Sequence, residues 1–283
     1  MPSERLIPTV LEIQGPLTAQ RSLVFDSPHS GTIYPLDFDH VLTKKELRFA
    51  EDTHVQDLFG HAGEIGIPLL HALFPRSYID PNRWEWDLDP EMLEGNWPSA
   101  LEPSSKAQIG IGLIWREVRS RGSIYNRKLS VDEVQNRIEK YWRPYHQTLE
   151  SLIEVAYENF GYVLHVNLHS MRNQGVISDP DGVVERPDFV IGDRNHTSCS
   201  PELTEQIASL LKDQGYRVSV NLPYSGQVLV SKFSDLASKK YSVMIEVNRR
   251  LYMDELTREK HSGYQEFRNC MSRFIENLAQ LVE

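Results

Sequence analysis

The spacing of apolar positions changes repeatedly along the chain. "SLVFDSP" (22–28) is a short apolar run closed by turn residues, which predicts a buried strand. Thr43 with Glu46 three positions on makes a capping-box pair, so a helix is expected from there to about Gly63. "IPLLHALF" (67–74) and "QIGIGLIW" (108–115) predict two further strands. The clearest helical period follows Ser130 and Glu133. Val134, Ile138, Tyr141, Tyr145, Leu149, Leu152, Ile153 and Ala156 recur on one face until Gly161, with Pro144 expected to kink the helix. A strand at 162–168 follows directly, then a helix from Ser200-Pro201 to Gly215, and strands at 216–220 and 241–247. A last amphipathic helix carries Tyr264, Phe267, Met271, Phe274, Ile275, Leu278 and Leu281. Strands alternating with helices predict a layered α/β fold with a largely parallel sheet. No repeat or low-complexity linker interrupts the pattern, so residues 1–283 are expected to form one domain.

In such sheets, ligand sites form beyond the carboxyl ends of the strands, and there the chain places unexpected chemistry. "FDSPHSG" ends a strand with Asp26, His29 and Ser30, and "YIDPNR" supplies Asp80, Asn82 and Arg83. "YVLHVNLHSM" (162–171) begins as sheet interior and finishes on His165, His169 and Ser170. "VMIEVNRR" sets Glu246 in an apolar run with Asn248, Arg249 and Arg250 behind it, and "AEDTHVQDLF" offers Asp52 and His54. A carboxylate such as Glu246 is costly to bury unless it is paired, metal-bound or catalytic. By contrast, His40, His71 and His196 stand outside any wider motif and read as surface or packing residues.

Two imidazoles and one carboxylate are a normal ligand set for a catalytic zinc ion, which keeps its fourth position for water. A separate glutamate can take a proton from that water, and arginines can hold an anionic substrate by paired hydrogen bonds. No GxSxG, HExxH, CxxC, P-loop or GxGxxG motif competes. "HAGE", His61 to Glu64, formally matches a His-x-x-Glu metal pair but falls at the end of an amphipathic helix rather than at a strand exit.

Composition narrows the field. Apolar residues make up 40% of 283 positions, enough for a sizeable core, and no apolar run approaches the ~20 residues needed to span a bilayer. The opening "MPSERLIPTVLEIQG" lacks the basic and apolar regions of an export signal. Cys199 and Cys270 make no disulfide framework, so reduced thiols in a cytoplasmic protein are expected. The formal net charge of −10 argues against a nucleic-acid partner. It does not forbid a small anion, because salt screens long-range repulsion within about 8 Å.

Taken together, "DSPHSGTIYP", "EDTHV", "YIDPNR", "YWRPYHQTL", "NLHSM", "PDFVIGD" and "IEVNRRLYM" resemble the N-formylglutamate amidohydrolase (deformylase) family, in order across about residues 24–254. The resemblance implies a three-layer fold similar to the zinc carboxypeptidases, with a mixed, mostly parallel central sheet and helices on both faces. It implies a divalent metal, zinc first, held by His29 and His169. The carboxypeptidase pattern expects an acid three residues after the first histidine, where this chain has Thr32. Asp52 is then the expected third ligand and His54 its rival, otherwise a substrate contact. Glu246 is implied as the general base, and Asn82 with Arg83 as the grip on a substrate carboxylate. Arg116 and Arg250 are the next candidates for a second carboxylate, and "PYSGQ" (223–227) for a lid or cavity wall. The implied reaction releases formate and glutamate from N-formylglutamate, a small anionic N-acyl amino acid, with no membrane or nucleic-acid partner. A metal amidase or carboxypeptidase for another N-acyl amino acid or peptide remains an alternative, as does a binding protein without catalysis.

Overall fold

The computed structural model describes residues 5–177, 179 and 181–283. Residues 1–4, which begin the stretch read for an export signal, lie outside the described residues. Eight strands form one sheet: β1 (Leu6–Ile7), β2 (Leu11–Gln14), β3 (Leu23–Ser27), β4 (Leu69–Ala72), β5 (Val163–Met171), β6 (Phe189–Gly192), β7 (Val218–Val220) and β8 (Lys240–Asn248). Their spatial order is β1-β2-β4-β3-β5-β8-β6-β7. The four neighbouring strands β4, β3, β5 and β8 run parallel, as do β6 and β7. Antiparallel pairing joins β1 to β2, β2 to β4 and β8 to β6. The sheet is therefore mixed and mostly parallel.

Helices cover both faces, giving the three layers expected. On one face α1 (Val131–Arg137) passes through a π turn (Ile138–Trp142) into α2 (Arg143–Phe160). Ser130 caps α1 by accepting the Glu133 N–H at 3.1 Å. Pro144 lacks an N–H and its ring crowds the preceding turn, and the wider π turn before it accommodates both effects. Gly161 closes α2 at a φ of 73°, donating to the Tyr157 carbonyl at 2.7 Å. On the other face lie α3 (Pro201–Lys212), capped by Ser200, and α4 (Tyr264–Leu281). Two buried clusters result. One packs Tyr145, Leu149 and Leu152 of α2 with Val24 and Leu70. The second packs Phe274, Ile275 and Leu278 of α4 and Ile207 of α3 on Leu164, Val166 and Leu168. Among the described residues no helix is long and apolar enough to cross a membrane.

The pleat of β5 explains its mixed composition. Leu164, Val166 and Leu168 face α3 and α4, so His165, Asn167 and His169 fall on the opposite face. Parallel register sets Asp26 of β3 beside Asn167, and Glu246 of β8 beside His169. The central strands thus carry a polar row on one face and an aliphatic row on the other.

Two expected elements take different forms. The helix expected over residues 43–63 breaks into short turns, Lys44–Leu47, Arg48–Ala50, Val55–Leu58 and His61–Glu64. The capping box at Thr43 and Glu46 is present. The break falls where Glu51, Asp52 and Thr53 are all buried, with the Asp52 N–H held by the His29 carbonyl at 3.0 Å and His54 at a φ of 70°. Three successive buried polar residues satisfy their groups better outside a helix. Residues 108–115 do not form a strand either. The short helix Ser105–Gln108 leads into a tight loop in which Gly110 adopts a φ of 83°.

Gly31, two residues past His29, packs directly on neighbouring backbone. An added Cβ would lie 2.2 Å from the Phe74 carbonyl oxygen and 2.5 Å from the Leu73 carbonyl carbon. Gly31→Ala is therefore expected to destabilise the fold by about 2 kcal/mol or more. Urea unfolding should show a lower midpoint at an unchanged slope.

Candidate active site

β3, β5 and the break after Ala50 deliver three side chains to one point. His29 and His169 bring their ring centroids to 4.7 Å, and Asp52 joins them. One candidate ligand atom from each lies within 4.8 Å of the others, and all three residues are buried. His29 Nδ1 stands 3.4 Å from Asp52 Oδ2, and His169 Nδ1 stands 3.1 Å from the same oxygen.

Outer partners hold the far nitrogen of each ring. His29 Nε2 lies 2.7 Å from Asp80 Oδ1, a carboxylate that can only accept. Burial alone would raise the Asp80 pKa, but Arg76, His29 and Arg83 hold it well below the usual carboxylate range. His29 Nε2 therefore donates, and Nδ1 is the ring nitrogen that faces Asp52. Behind His169 the Asn167 amide nitrogen donates to Asp26 Oδ1 at 2.7 Å, and the Asn167 oxygen lies 2.7 Å from His169 Nε2, which the Asn82 amide nitrogen also approaches at 3.2 Å. Asp26 in turn accepts from His165 Nε2 at 2.8 Å and from the Tyr145 hydroxyl at 2.7 Å.

Both Nδ1 atoms face the Asp52 carboxylate in the protein interior, His169 Nδ1 at hydrogen-bond distance and His29 Nδ1 without a hydrogen-bond partner. With both Nδ1 atoms unprotonated, three acceptors converge and suit a cation between them. Two nitrogens, one oxygen and oriented outer partners suit zinc and related divalent ions. Asp52 Oδ1, turned away from the cluster, takes the Arg249 guanidinium at 2.8 Å.

Glu246 borders the same cavity. Burial pushes its carboxyl up to about 7, with the Asp52 charge adding and the His169 and Arg249 charges opposing. The cavity measures about 220 Å³, the scale of a small metabolite. Asn82 and Arg83 line it. The Asn82 amide is anchored by the Leu229 N–H at 3.0 Å and lies 3.2 Å from His169 Nε2. Arg83 is buried and bonded to the carbonyls of Ile111 and Asn82 at 3.2 and 2.8 Å. Tyr224, Gly226 and Gln227 of the "PYSGQ" corner form part of the wall.

Three expected residues sit elsewhere. Arg116 is outside the cavity lining and bonded to Asp89 at 2.7 Å. Arg250 is exposed and paired with Asp188, because the turn Arg249–Leu251 that follows β8 directs Arg249 inward and Arg250 outward. His54 does not join the cluster. Its Nε2 meets the Arg258 carbonyl at 3.0 Å and its ring packs on Tyr264. "HAGE" is on the surface, with His61 between Glu64 and Glu276. His40, His71 and His196 each have a local partner away from the cluster.

Sequence reasoning missed Asn167, which reads as one polar residue among apolar neighbours, although its period-two spacing from His165 and His169 carries the signal. It also missed Lys106 and Arg258, both in the cavity wall. Arg258 is buried, holds a φ of 65°, and leaves Nε and Nη1 without partners. No local motif marks it.

At the carboxyl edge of this layered α/β sheet two histidines, an aspartate and a glutamate gather around a small cavity, and relatives with this fold are amide-cleaving hydrolases. The chain belongs to the N-formylglutamate amidohydrolase family, whose model matches residues 21–253. It is 42% identical to the N-formylglutamate amidohydrolase from Ralstonia eutropha JMP134 in its crystal structure, with a TM-score of 0.90, covering 97% of this chain and 98% of that one. The N-formylglutamate deformylase of Pseudomonas putida is 28% identical over 214 residues, 75% of this chain and 74% of that protein. The Pseudomonas aeruginosa deformylase is 27% identical over 238 residues, 82% of each chain. A product from Agrobacterium tumefaciens shares the fold at 15% identity and a TM-score of 0.68, over 98% of this chain and 96% of that one.

The hydrogen-bonded chain behind His169 yields a measurable expectation. If the His29–Asp52–His169 cluster takes up zinc, replacing Asn167 by Ala should weaken that binding by about 10- to 100-fold, as loss of an orienting partner typically does. Chelator competition would measure it, and an unchanged affinity would remove Asn167 from the orienting role.

Proposed function

We propose that the protein is a metal-dependent deformylase that cleaves the amide of N-formylglutamate to formate and glutamate. One observation carries the metal dependence: two imidazole nitrogens and a carboxylate oxygen converge in the interior within 4.8 Å of one another, a donor set that fits a divalent ion. His29, Asp52 and His169 would hold the ion. Bound there, zinc would supply a Lewis acid that lowers the pKa of water towards about 7.

Glu246 then serves as general base. Its carboxyl, raised to about 7 by burial, is poised to take a proton from water and return it to the leaving amine. Both transfers favour a group whose pKa lies near the working pH. Arg258 is suited to the charge that develops on the carbonyl oxygen, since its unpartnered Nε and Nη1 are free donors in the cavity wall. Asn82 and Arg83 would grip the α-carboxylate, Arg83 through nitrogens left over from its two carbonyl bonds. The choice of N-formylglutamate rests on the relatives that bear the deformylase name, and the cavity size agrees with it.

Dialysis against a strong chelator should abolish hydrolysis of N-formylglutamate, and zinc should restore it; activity that survives metal removal would overturn the metal reading. In a panel of N-formyl and N-acetyl amino acids, N-formylglutamate should give the highest kcat/KM, and a preference for an acetyl or peptide substrate would reassign the activity. Glu246→Gln should keep metal content near normal while kcat falls by about 100-fold or more. Elemental analysis of the same variant separates loss of the base from loss of the metal.

A further inference from the structure

We propose that Lys106 selects the substrate by its side-chain carboxylate, acting as a second anionic anchor beside Arg83. The inference rests on the deformylase reading above and names the specificity determinant of that same cavity.

The cations in the cavity wall differ in how far they are already neutralised. Arg76 is bonded through Nε and Nη2 to Asp80 at 3.2 and 2.8 Å. Arg249 is paired with Asp52 at 2.8 Å. Arg119 and Arg172 both hold Asp179, at 2.5 and 3.1 Å. Arg83 has two carbonyl acceptors. Lys106 lines the cavity, yet among the described residues its Nζ has neither a carboxylate at ion-pair distance nor a hydrogen-bond acceptor. Asp179, the acid whose charge it feels, has no capacity to spare. Its Oδ1 is taken by Arg119, and its Oδ2 by Arg172, Arg186 and the Val176 N–H. Burial and the neighbouring Arg119, Arg83 and Arg76 charges press the Lys106 ammonium down to about 8, with the Asp179 charge offsetting them only in part.

Local structure binds Lys106 to Arg83. Ser104 caps the short helix that carries Lys106, its Oγ accepting the N–H groups of Lys106 and Ala107 at 3.2 and 3.3 Å. Asp87 fixes Ser104 through its N–H and Oγ at 2.7 and 2.9 Å. The Ile111 N–H donates to the Lys106 carbonyl at 2.9 Å, and the Ile111 carbonyl accepts from Arg83 Nε at 3.2 Å. One residue therefore ties the backbone of Lys106 to the guanidinium of Arg83. The two carboxylates of a glutamate moiety lie about 5 Å apart when its side chain is extended. An α-carboxylate on Arg83 thus leaves the other carboxylate in search of a cation nearby. Arg258 is a poorer choice, because the charges that act on it come from Arg249, Glu255 and Glu51, on the Asp52 side of the cavity.

The experiment compares N-formylglutamate with its neutral isostere N-formylglutamine, using wild type, Lys106→Met and Lys106→Arg loaded with zinc. In Lys106→Met the kcat/KM ratio of the two substrates should fall at least 20-fold, mainly through KM for N-formylglutamate, and Lys106→Arg should recover much of it. A ratio that stays within 3-fold of wild type, or equal losses on both substrates, would overturn the proposal. Calorimetric titration with glutarate and with its mono-amide supplies a readout without turnover: Lys106→Met should lose the preference for glutarate, and a retained preference would overturn the assignment. If the wild type cleaves no N-formyl amino acid, the deformylase reading fails, and the glutarate titration still judges Lys106.

Discussion

Everything around the centre follows from three acceptors held at one point in a buried space. Two imidazole Nδ1 atoms approach Asp52 Oδ2 at 3.4 and 3.1 Å, while Asp80 and Asn167 engage the opposite nitrogens of the two rings. An unpaired polar atom inside a protein costs on the order of 1–3 kcal/mol. The fold tolerates the cost because the surrounding network leaves the rings no better orientation. Asp80 is saturated by Arg76, Trp115, the Asn82 N–H and His29, so His29 cannot turn without stranding it. Behind His169, Asn167 is locked by Asp26, and Asp26 by Tyr145 and His165. Buried polar networks of this kind are rigid when their members are satisfied, and this one holds the two imidazoles and the Asp52 carboxylate at fixed positions.

The parallel sheet makes that network cheap to build. Its strands are covered on both faces, so any polar side chain they carry is buried and must find a partner. In-register pairing supplies the partners without extra loops: Asp26 beside Asn167, Ser242 beside His165, Glu246 beside His169. The remaining groups come from chain that leaves regular structure. Asp52 arrives only because the helix breaks after Ala50, and Arg83 and Lys106 are bridged by the loop in which Gly110 reverses the chain. Strands set His169 and Glu246, while irregular segments bring Asp52 to the cluster and set the cationic walls.

That division explains how much could be read from the sequence. The order of strands and helices was legible because aliphatic runs and helical spacing reflect the two buried clusters directly. His29, His169 and Glu246 were legible for a related reason: each is a polar residue at the end of an apolar run, where a core residue would otherwise stand. The cationic walls were not. Arg249 and Arg250 are adjacent and chemically equal in sequence, and only the turn after β8 separates an inward from an outward side chain. Arg116 follows an apolar segment, but that segment is a loop rather than a strand, so the strand-exit rule did not apply to it. His54 and Asp52 competed for one role in a segment expected to be helical. The left-handed backbone at His54 resolved them, pointing its ring to the Arg258 carbonyl. Choices made by backbone geometry outside regular elements leave little trace in residue periodicity.

The charge distribution shows why those irregular walls matter. The chain carries a net −10, yet basic side chains outnumber acidic ones in the cavity lining. Most of the wall arginines are held by buried or half-buried carboxylates: Asp80 holds Arg76, Asp179 holds Arg119 and Arg172, and Asp52 holds Arg249. These acids lower the local positive potential and at the same time fix the arginines in place, so the cavity does not behave as a general anion sink. Among the described residues, the cavity cations least engaged by carboxylates are Lys106, Arg83 and Arg258. Repulsion from the acidic surface falls off within about 8 Å at physiological salt, whereas contacts inside the cavity are screened far less. Selectivity for an anionic substrate therefore depends on a few uncommitted donors at fixed positions and only weakly on the sign of the whole molecule.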